Sequence, residues 1–343
     1  MSDTSDILYV GIDLGTSRSA VSASNGERHM IESYVGWPVD MVARKILKRP
    51  VLIGHDAVDQ RSMLDLRRPL ERGLIKEGSE KDAAAVHELL RHLVSLTGMV
   101  APHENGSRVC AVVGAPAEAL RVNKQQLRNA MKGIADSLMV VSEPFAVAYG
   151  TEALLHTMII DIGAGTTDFC VMNGRYPTEE DQRTLDIAGD TIDAKLAMLV
   201  QERYPEAQFS IHMVRAWKER SAFVGKPAER VLVTMPVAGK PTQLDITEAM
   251  RSACESLVPP VTETMIELLA RVEPEFQERV RQNIILAGGS SLIRGLPERL
   301  QQGLADVGGG KVRVVSDPTF AGSDGGLAIA LDALETDWDM LTT

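Results

Sequence analysis

Two stretches of the chain each place an aspartate shortly before a glycine turn that is rich in hydroxyl groups. The first is YVGIDLGTSRSAV at residues 9–21, and the second is MIIDIGAGTTDFCVM at residues 158–172. Each stretch predicts an apolar strand, a turn and a second strand. Aligned on their aspartates, they match at Asp13 and Asp161, at Gly15 and Gly163, and at Ser17 and Gly165. Two copies of one pattern predict two similar halves that face each other across a cleft.

Glycine turns of this kind can bind phosphate. Because glycine has no Cβ, successive backbone N–H groups can point at one spot and cradle phosphate oxygens. The hydroxyl groups that would add donors belong to Thr16, Ser17, Thr166 and Thr167. Asp13 and Asp161 would repel a phosphate unless a cation lay between them, and a hydrated Mg²⁺ ion suits that place. Taken alone, each stretch has the alternative interpretation of an ordinary glycine hairpin.

The length and composition exclude several classes of protein. A chain of 343 residues suits two domains of middling size, and 44% hydrophobic with 24% charged residues is typical of a globular protein. A net charge of −11 argues against a nucleic-acid partner and against electrostatic attachment to an anionic membrane. The opening MSDTSDILYVG lacks the features of a signal peptide, and no apolar run is long enough to span a bilayer. We therefore expect a cytoplasmic protein with no direct insertion into a membrane.

The stretches around the two turns predict an α/β fold, because strands alternate with helices. We expect strands at 51–54, 109–115 and 139–141, and helices at 42–48, 117–138, 213–223 and 246–258, the last one ended by two prolines. The residues after Asp332 have few apolar side chains to bury, so this tail is predicted to be partly mobile. Cys110, Cys170 and Cys254 lack metal-binding spacing and are expected to be buried thiols.

The two turns resemble the phosphate motifs of the superfamily that contains actin, the sugar kinases and the heat-shock ATPases. Three further segments resemble other motifs of that superfamily. They are SEPFAVAYG at 142–150, similar to its first connecting helix, ILAGGSSLIRGL at 285–296, similar to its adenosine motif, and SDGGLA at 323–328, where its second connecting helix should lie. The resemblance runs in the superfamily's order from about residue 7 to residue 332.

Within this superfamily the chain resembles the bacterial actins of the MreB and MamK type. The segments that resemble MreB are RPL at 68–70, GLI at 73–75 and PEF at 274–276. The segments that resemble the magnetosome-associated MamK actins are YVGWP at 34–38, WKE at 217–219, SAFVG at 221–225 and DPTF at 317–320. The resemblance implies an α/β, two-lobed actin-like ATPase fold, with duplicated sheet-and-helix domains around a nucleotide cleft.

The same resemblance implies a division of the chain into two lobes and a tail. The first lobe comprises residues 1–157, with the first phosphate motif, a small inserted subdomain at about 34–80 and the first connecting helix from about 143. The second lobe comprises residues 158–332, with the second phosphate motif, an inserted subdomain at about 190–255 and the adenosine motif at 285–296. Residues 333–343 form the C-terminal tail. We use these three names for these residues below.

Three acidic residues have implied roles in chemistry. Asp13 and Asp161 would hold the hydrated Mg²⁺ ion, and Asp161 would also help to orient the attacking water. Glu143 corresponds to the acid of the first connecting helix, so it would position or polarise that water. The alternative interpretation of Glu143 is an acid that caps the first turn of a helix, and the two roles are compatible.

The other predicted site residues would bind ATP or ADP. The residues implied at the phosphates are Gly15, Thr16, Ser17, Arg18, Gly163, Ala164, Gly165 and Thr166. The residues implied at the ribose and base are Gly189, Asp190, Lys218, Glu219, Gly288, Gly289, Ser290 and Leu292. Of these, Gly189 would give clearance at the ribose, Glu219 would accept hydrogen bonds from the nucleoside, and Leu292 would cover the purine.

Alternative interpretations stay open for several of these positions. Arg18 would either touch phosphate or point to solvent, and Asp190 could serve only at the N-terminus of a helix. Lys218 and Glu219 could belong to a solvated helix face. The glycines at 288–289 could simply form the turn that follows a strand.

Among the activities known for this fold, the sequence favours a filament-forming ATPase. A heat-shock ATPase would be expected to carry a long peptide-binding domain, and a small-molecule kinase would need a substrate base and pocket that the sequence does not reveal. We expect hydrolysis of ATP to ADP and phosphate coupled to head-to-tail polymerisation. The filaments would organise magnetosomes through adaptor proteins. The alternatives are an MreB-like cell-shape or plasmid-positioning actin and a small-molecule kinase of the same superfamily.

Overall fold

The computed structural model describes residues 7–76, 80–98, 108–117 and 120–341. Its strands are β1 (Ile7–Leu14), β2 (Arg18–Ala23), β3 (Arg28–Glu32), β4 (Val35–Pro38), β5 (Leu52–Ile53), β6 (Leu64–Arg67), β7 (Leu70–Glu71), β8 (Leu74–Ile75), β9 (Arg108–Ala115), β10 (Ser137–Ser142), β11 (Leu155–Ile162), β12 (Thr167–Asn173), β13 (Gln182–Leu185), β14 (Leu232–Val237), β15 (Lys240–Asp245), β16 (Ile284–Ala287), β17 (Val312–Val314) and β18 (Asp339–Met340). Its helices are α1 (Met41–Leu47), α2 (His55–Asp59), α3 (Glu80–Leu96), α4 (Leu120–Met131), α5 (Glu143–Gly150), α6 (Gly189–Arg203), α7 (Ile211–Ser221), α8 (Thr247–Glu255), α9 (Val258–Arg271), α10 (Pro274–Arg281), α11 (Leu296–Gly303) and α12 (Ala321–Asp332).

The two main sheets repeat one topology. The first has the order β3-β2-β1-β9-β10, with β18 added beyond β10, and the second has the order β13-β12-β11-β16-β17. In each sheet, the strand before the glycine turn is antiparallel to the strand after it and parallel to its other neighbour. Asp13 pairs with Ala20 across the first turn and Asp161 with Asp168 across the second, at the same separation along the chain. The predicted α/β fold with duplicated sheets is therefore confirmed.

Each sheet has its own apolar core. In the first lobe, the fully buried Leu89, Leu90 and Leu93 of α3 belong to the same cluster as the inner side chains of β1 and β9. In the second lobe, Met250 of α8 and Met265 of α9 are fully buried beside the side chains of β11 and β16. Complete burial of one such side chain contributes roughly 1.5–3 kcal/mol. The three cysteines are buried as expected, namely Cys110, Cys170 and Cys254.

Two connecting helices, α5 and α12, cross between the sheets. They share a third apolar cluster that includes Val112 of the first sheet and Ile159 of the second. A Cβ on Gly325 of α12 would collide with the backbone of Ala146 in α5, so glycine allows the two helices to approach this closely. Both segments that resemble connecting helices are thus helical and lie at the junction of the lobes.

Two predicted helix boundaries are wrong. The helix expected at 117–138 is shorter: α4 ends at Met131, and β10 already begins at Ser137. Gly133, with φ of 74°, follows α4 in the left-handed conformation that commonly ends a helix; residues 118–119 lie outside the described part of the chain. Pro259 and Pro260 do not stop the stripe at 246–258 but lie in the first turn of α9, where a missing N–H breaks no helical hydrogen bond.

The C-terminal tail buries more than its composition suggested. Its strand β18 pairs with β10 and covers an edge of the first sheet that would otherwise be open to pairing. Leu341 is only 8% exposed, and the ring of Trp338 lies 6.4 Å from that of Tyr9. Lys124 also forms a 2.7 Å ion pair with Asp339. The expectation of a tail with little to bury is therefore wrong for residues up to 341, beyond which the structure is not described.

The inserted regions of the two lobes differ. In the first lobe, α1 and β5 confirm the predicted short helix and strand, and β5, β4 and β6 form a small sheet. In the second lobe, β14 and β15 form a hairpin that the sequence did not indicate, with every second residue of β14 buried over most of its length. Within the described ranges, no helix combines the length and the apolar character needed to cross a bilayer.

Candidate functional site

A cavity of about 320 Å³ opens between the lobes, at the ends of the strands that lead into both glycine turns. The predicted site residues that line it are Asp13, Gly15, Thr16, Ser17, Arg18, Glu143, Asp161, Gly163, Ala164, Gly165, Thr166, Gly189, Lys218, Glu219, Gly288, Gly289, Ser290 and Leu292. Asp190 is the predicted site residue that does not line it. Six separate segments of the chain are thus brought together around one space.

The two glycine turns both line this cavity and contact each other. A Cβ on Gly165 would lie 2.5 Å from Thr16 Oγ1 and 2.9 Å from the Cα of Arg72, which leaves room only for a glycine. Thr16 Oγ1 also accepts a 3.0 Å hydrogen bond from the N–H of Gly73. In the second turn, the N–H of Gly163 donates to the carbonyl oxygen of Thr166 over 3.0 Å. Both turns are therefore fixed in shape, and they approach each other as the duplication predicted.

Three buried carboxyl groups, those of Asp13, Glu143 and Asp161, line the cavity. Burial raises the pKa of Asp13 to about 6. Burial, followed by the charges of Asp13 and Asp168, also raises the pKa of Asp161 well above its ordinary value. For Glu143, burial and the charges of Asp168, Asp13 and Asp161 act in the same direction on the pKa. The site therefore has an excess of negative charge that a bound cation would relieve.

The loop after β16 lies directly against one of these acids. Gly288 has a φ of 74°, and a Cβ at this position would collide with Asp161 Oδ1. Only glycine combines this left-handed backbone with such a close approach. Ser290 Oγ donates a 3.0 Å hydrogen bond to the carbonyl oxygen of Gly163. The segment that resembles an adenosine motif is thus attached to the second glycine turn.

Lys218 is a buried part of the cavity wall, so the alternative of a solvated helix face does not hold for it. Its side chain is 11% exposed. Nζ donates a 2.7 Å hydrogen bond to the carbonyl oxygen of Gly189 and pairs with Asp193 Oδ1 at 2.8 Å. The N–H of Gly189 in turn donates to the carbonyl oxygen of Gly163 over 3.1 Å. These bonds connect α7 to the first residue of α6, and that residue to the second glycine turn.

Arg18 and Glu219 form an ion pair across the mouth of the cavity. Arg18 Nη2 lies 2.7 Å from Glu219 Oε2, and the two side chains are 44% and 39% exposed. Arg18 belongs to the first lobe and Glu219 to the second. The alternative of an arginine that simply points to solvent is therefore incomplete for Arg18, and the contacts of both residues with a nucleotide stay predictions.

Asp190 is directed to two arginines instead of the cavity. Arg68 Nη1 lies 2.8 Å from Asp190 Oδ2, and Arg215 Nη2 lies 3.2 Å from Asp190 Oδ1. Asp190 is in the first turn of α6, whose N-cap is Ala188. This carboxylate does not line the cavity, and its part in nucleotide binding stays a prediction.

The model of the family described as MreB/Mbl protein matches residues 8–336, nearly the whole chain. The chain belongs to the MreB/Mbl family. Among curated proteins, this family member is 42% identical over 334 residues to the actin-like protein MamK of Paramagnetospirillum magneticum, covering 97% of this chain and 95% of that one. It is equally identical to the MamK of Magnetospirillum gryphiswaldense, covering 97% of this chain and 92% of that one. A MamK-like protein of P. magneticum is 36% identical over 341 residues, with 99% of each chain covered.

Solved MamK structures have the same fold as this MreB/Mbl chain. A MamK double helical filament matches with a TM-score of 0.92 at 41% identity, covering 96% of this chain and 100% of that one. A MamK filament determined by electron cryo-microscopy gives 0.84 at 41% identity, covering 95% and 98%. A non-polymerising MamK mutant bound to AMPPNP gives 0.73 at 41% identity, covering 96% and 100%. The predicted membership among bacterial actins of the MreB and MamK type is confirmed.

Several residues of the MreB/Mbl cavity were missed from the sequence. They are Ser19, Ala20, Met30, Gly73, Arg215, Arg220, Ala222, Ile293, Arg294, Pro318 and Thr319. Arg215 could have been found, because it lies three residues before Lys218 on α7 and so shares a helix face with it. Pro318 and Thr319 lie in DPTF, whose resemblance to the MamK actins implies no site role. Met30 offers no sequence signal, since it reaches the cavity only through the pairing of β3 with β2.

The acids of the cavity could hold a metal ion only together with further donors. Within the described residues, no three histidine, cysteine, aspartate or glutamate side chains converge so that they could hold an ion by themselves. Carboxylate oxygens are nevertheless the donors that Mg²⁺ prefers, and one or two of them suffice when water and phosphate oxygens complete its shell. The donor set of Asp13 and Asp161 fits such a hydrated ion.

Proposed function

We propose that this chain binds Mg·ATP between its lobes, hydrolyses it to ADP and phosphate, and assembles head-to-tail into filaments. One observation carries the proposal: two glycine turns that contact each other and three buried acids line a single cavity. Backbone N–H groups in such turns bind phosphate oxygens from two sides. A polyphosphate gripped in this way would join the lobes, so its hydrolysis would change how they are held together.

Asp13 and Asp161 would hold the hydrated Mg²⁺ ion. Their burial at the cavity floor leaves negative charge that a divalent cation would compensate. The bound ion would neutralise charge that develops on the phosphates during transfer. Asp161 would also help to orient the attacking water.

The cavity wall offers separate groups to each part of the nucleotide. The turn residues proposed to bind phosphates are Gly15, Thr16, Ser17, Arg18, Gly163, Ala164, Gly165 and Thr166. On the other side, Gly189, Lys218 and Glu219 would meet the ribose, and the loop at 288–290 with Leu292 would lie against the base. Leu292 is 61% exposed, which suits a side chain that covers a purine from the solvent side.

Glu143 is the proposed group that acts on water. It starts α5 at the end of β10 and lines the cavity beside Asp13 and Asp161. Its raised pKa favours the protonated carboxyl while the neighbouring acids are charged. A cation among those acids would favour the ionised form, which can orient water and accept its proton. Glu143 would therefore become active when the metal and nucleotide are bound.

Filament formation is supported by the relatives and by the conformation of this chain. MamK, which is 41% identical in the solved structures, forms a double helical filament. At the same identity and coverage, this chain gives a TM-score of 0.92 with the filament subunit and 0.73 with the non-polymerising mutant. The coordinates of this chain are therefore more similar overall to those of the filament subunit. The proposed cytoplasmic role is to organise magnetosomes through adaptor proteins; a cell-shape or plasmid-positioning role would use the same site.

The test is pelleting and light scattering of the purified chain with Mg·ATP, with Mg·ADP and without nucleotide. We expect polymer with Mg·ATP, release of phosphate, and loss of polymer as ADP accumulates. Electron micrographs of the ATP sample would show whether the polymer is a filament. A protein that stays monomeric in all three samples, well above micromolar concentration, would contradict the proposal, and so would calorimetry without heat on addition of Mg·ATP.

A further inference from the structure

A bidentate ion pair connects the backbones of the two glycine turns. Arg68 Nε donates a 2.8 Å hydrogen bond to the carbonyl oxygen of Thr16 in the first turn. Its two Nη atoms lie 2.8 Å and 3.1 Å from the carboxylate oxygens of Asp190. The N–H of Asp190 then donates a 2.7 Å hydrogen bond to the carbonyl oxygen of Ala164 in the second turn. A continuous path of hydrogen bonds thus crosses the cleft from one turn to the other.

We propose that Arg68 and Asp190 form a positioning pair that sets the distance between the two phosphate-binding turns. The proposal rests on the nucleotide binding proposed above, because it assigns the pair a role only in shaping that site. Neither residue lines the cavity, so neither would touch the nucleotide. The planar guanidinium suits this task, since its fork holds a carboxylate in one orientation while Nε remains free for the Thr16 carbonyl.

The surroundings hold the pair in one geometry. Arg215 Nη2 donates a 3.2 Å hydrogen bond to Asp190 Oδ1. Arg215 Nη1 donates a 3.0 Å hydrogen bond to the hydroxyl oxygen of Tyr34, a residue of the first lobe. The side chains of Arg68 and Asp190 are only 21% and 30% exposed. Solvent and salt therefore screen this pair less than they screen a surface pair.

The chain provides a matched surface pair as a control. Arg72 Nη1 lies 3.1 Å from Asp186 Oδ2, and these side chains are 61% and 59% exposed. Like the proposed pair, it joins the first lobe to the second without lining the cavity, but it is far more exposed. Exposed pairs of this kind contribute little to stability or coupling. Asp186→Asn should therefore leave the binding of Mg·ATP unchanged.

The experiment measures the Kd of Mg·ATP by calorimetry and the KM and kcat of phosphate release for Asp190→Asn, Arg68→Gln and the double variant. We expect each single variant to raise Kd and KM roughly tenfold, the usual scale of coupling between sites, with a smaller change in kcat. The double variant should be no weaker than either single variant, since each one already breaks the pair. Asp190→Glu, which keeps the charge, should recover part of the affinity.

Asp190→Asn separates positioning from simple electrostatics. Removing a negative charge close to bound phosphates would by itself tighten binding, whereas loss of a positioning pair weakens it. Tighter or unchanged binding in this variant would overturn the proposal. The proposal would also be overturned if the double variant raised the Kd of Mg·ATP roughly a hundredfold, the product of the two single effects. Such a result would show that the two residues act independently, for example through a direct contact of Asp190 with the ribose.

Folding and the underlying function are tested separately in the same experiment. Thermal unfolding without nucleotide identifies any variant that fails to fold. If Arg68→Gln fails to fold, Arg68→Lys replaces it. The lysine keeps the charge but lacks the planar fork of the guanidinium, so it should raise Kd and KM in the same way. If the unmodified chain binds no Mg·ATP, the proposed function itself fails and this proposal fails with it. If the unmodified chain binds and Asp190→Asn binds equally well, only the positioning role is wrong.

Discussion

Thr16 Oγ1 lies 2.5 Å from the point that a Cβ on Gly165 would occupy. These residues belong to different lobes and to different copies of the glycine turn. Their contact brings the two copies to the lining of one cavity. The two turns can therefore approach each other this closely only because residue 165 is a glycine.

Gly165→Ala should force the lobes apart at this contact. The added methyl group would meet Thr16 and the backbone of Arg72, and overpacking of this kind costs about 1–3 kcal/mol. We expect a lower Tm without nucleotide and weaker binding of Mg·ATP, measured by thermal unfolding and calorimetry. Gly163→Ala is the control, because a Cβ there meets nothing closer than the Thr166 carbonyl oxygen at 3.4 Å. It should leave the Tm without nucleotide unchanged, and equal Tm values for both variants would contradict the contact.

Glu143→Gln should slow hydrolysis while nucleotide binding persists. The amide keeps the size of the side chain but cannot accept a proton from water, and loss of a general base lowers rates by about 10²–10⁴-fold. Phosphate release and the Kd of Mg·ATP are measured on the same preparation. Filaments formed with ATP should therefore last longer in this variant. A rate of phosphate release equal to that of the unmodified chain would remove Glu143 from the mechanism.

The buried acids should make the stability of the nucleotide-free protein depend on pH. Burial raises the pKa of Asp13 from 3.8 to about 6, so the folded state binds its proton more tightly than the unfolded state. The stability from this group is complete below pH 3.8 and is lost as the pH rises through about 6. We expect Tm to fall over this window, and to fall less in Asp13→Asn. Parallel Tm profiles for the two proteins would show that Asp13 does not contribute.

Mg·ATP should stabilise the protein more at higher pH. Cation binding requires ionised carboxylates, and burial raises the pKa values of the proposed metal ligands Asp13 and Asp161. The increase in Tm on addition of Mg·ATP should therefore be larger at about pH 7.5 than at about pH 5.5. EDTA should remove most of that increase. An increase that does not depend on pH would argue against a metal at these acids.

Leu341→Ala should destabilise the first lobe although the residue stands near the end of the chain. Its side chain is buried in the same cluster as the core of the first sheet, and truncation of a buried leucine costs about 2 kcal/mol or more. Leu334→Ala is the control from the same tail, because that side chain is 68% exposed and its truncation should cost less than about 0.5 kcal/mol. Denaturant unfolding of both variants measures the difference. Equal stabilities would show that the tail is not part of the core.

Most of the cavity lining could be predicted from the sequence because its central parts are local. Asp13 and Gly15 are neighbours in one turn, as are Asp161 and Gly163 in the other, so the chain itself places acid beside glycine. Helix boundaries were less certain, since Pro259 and Pro260 are compatible both with the end of α8 and with the start of α9. The sequence of the β14–β15 hairpin shows no clear periodicity of apolar residues. The tail is buried because β18 pairs with β10, and the sequence does not indicate that pairing.

The sequence by itself determined the duplicated strand-turn-strand units, their acids and their glycines, because those features depend on backbone conformation and on residues a few positions apart. Only the tertiary structure decided what the charged residues around them do. Asp190 turned out to pair with Arg68, 122 positions away, and Arg18 with Glu219, 201 positions away. An ion pair depends on distances of a few ångströms between side chains, and no local pattern encodes which distant residue the fold will bring within that reach.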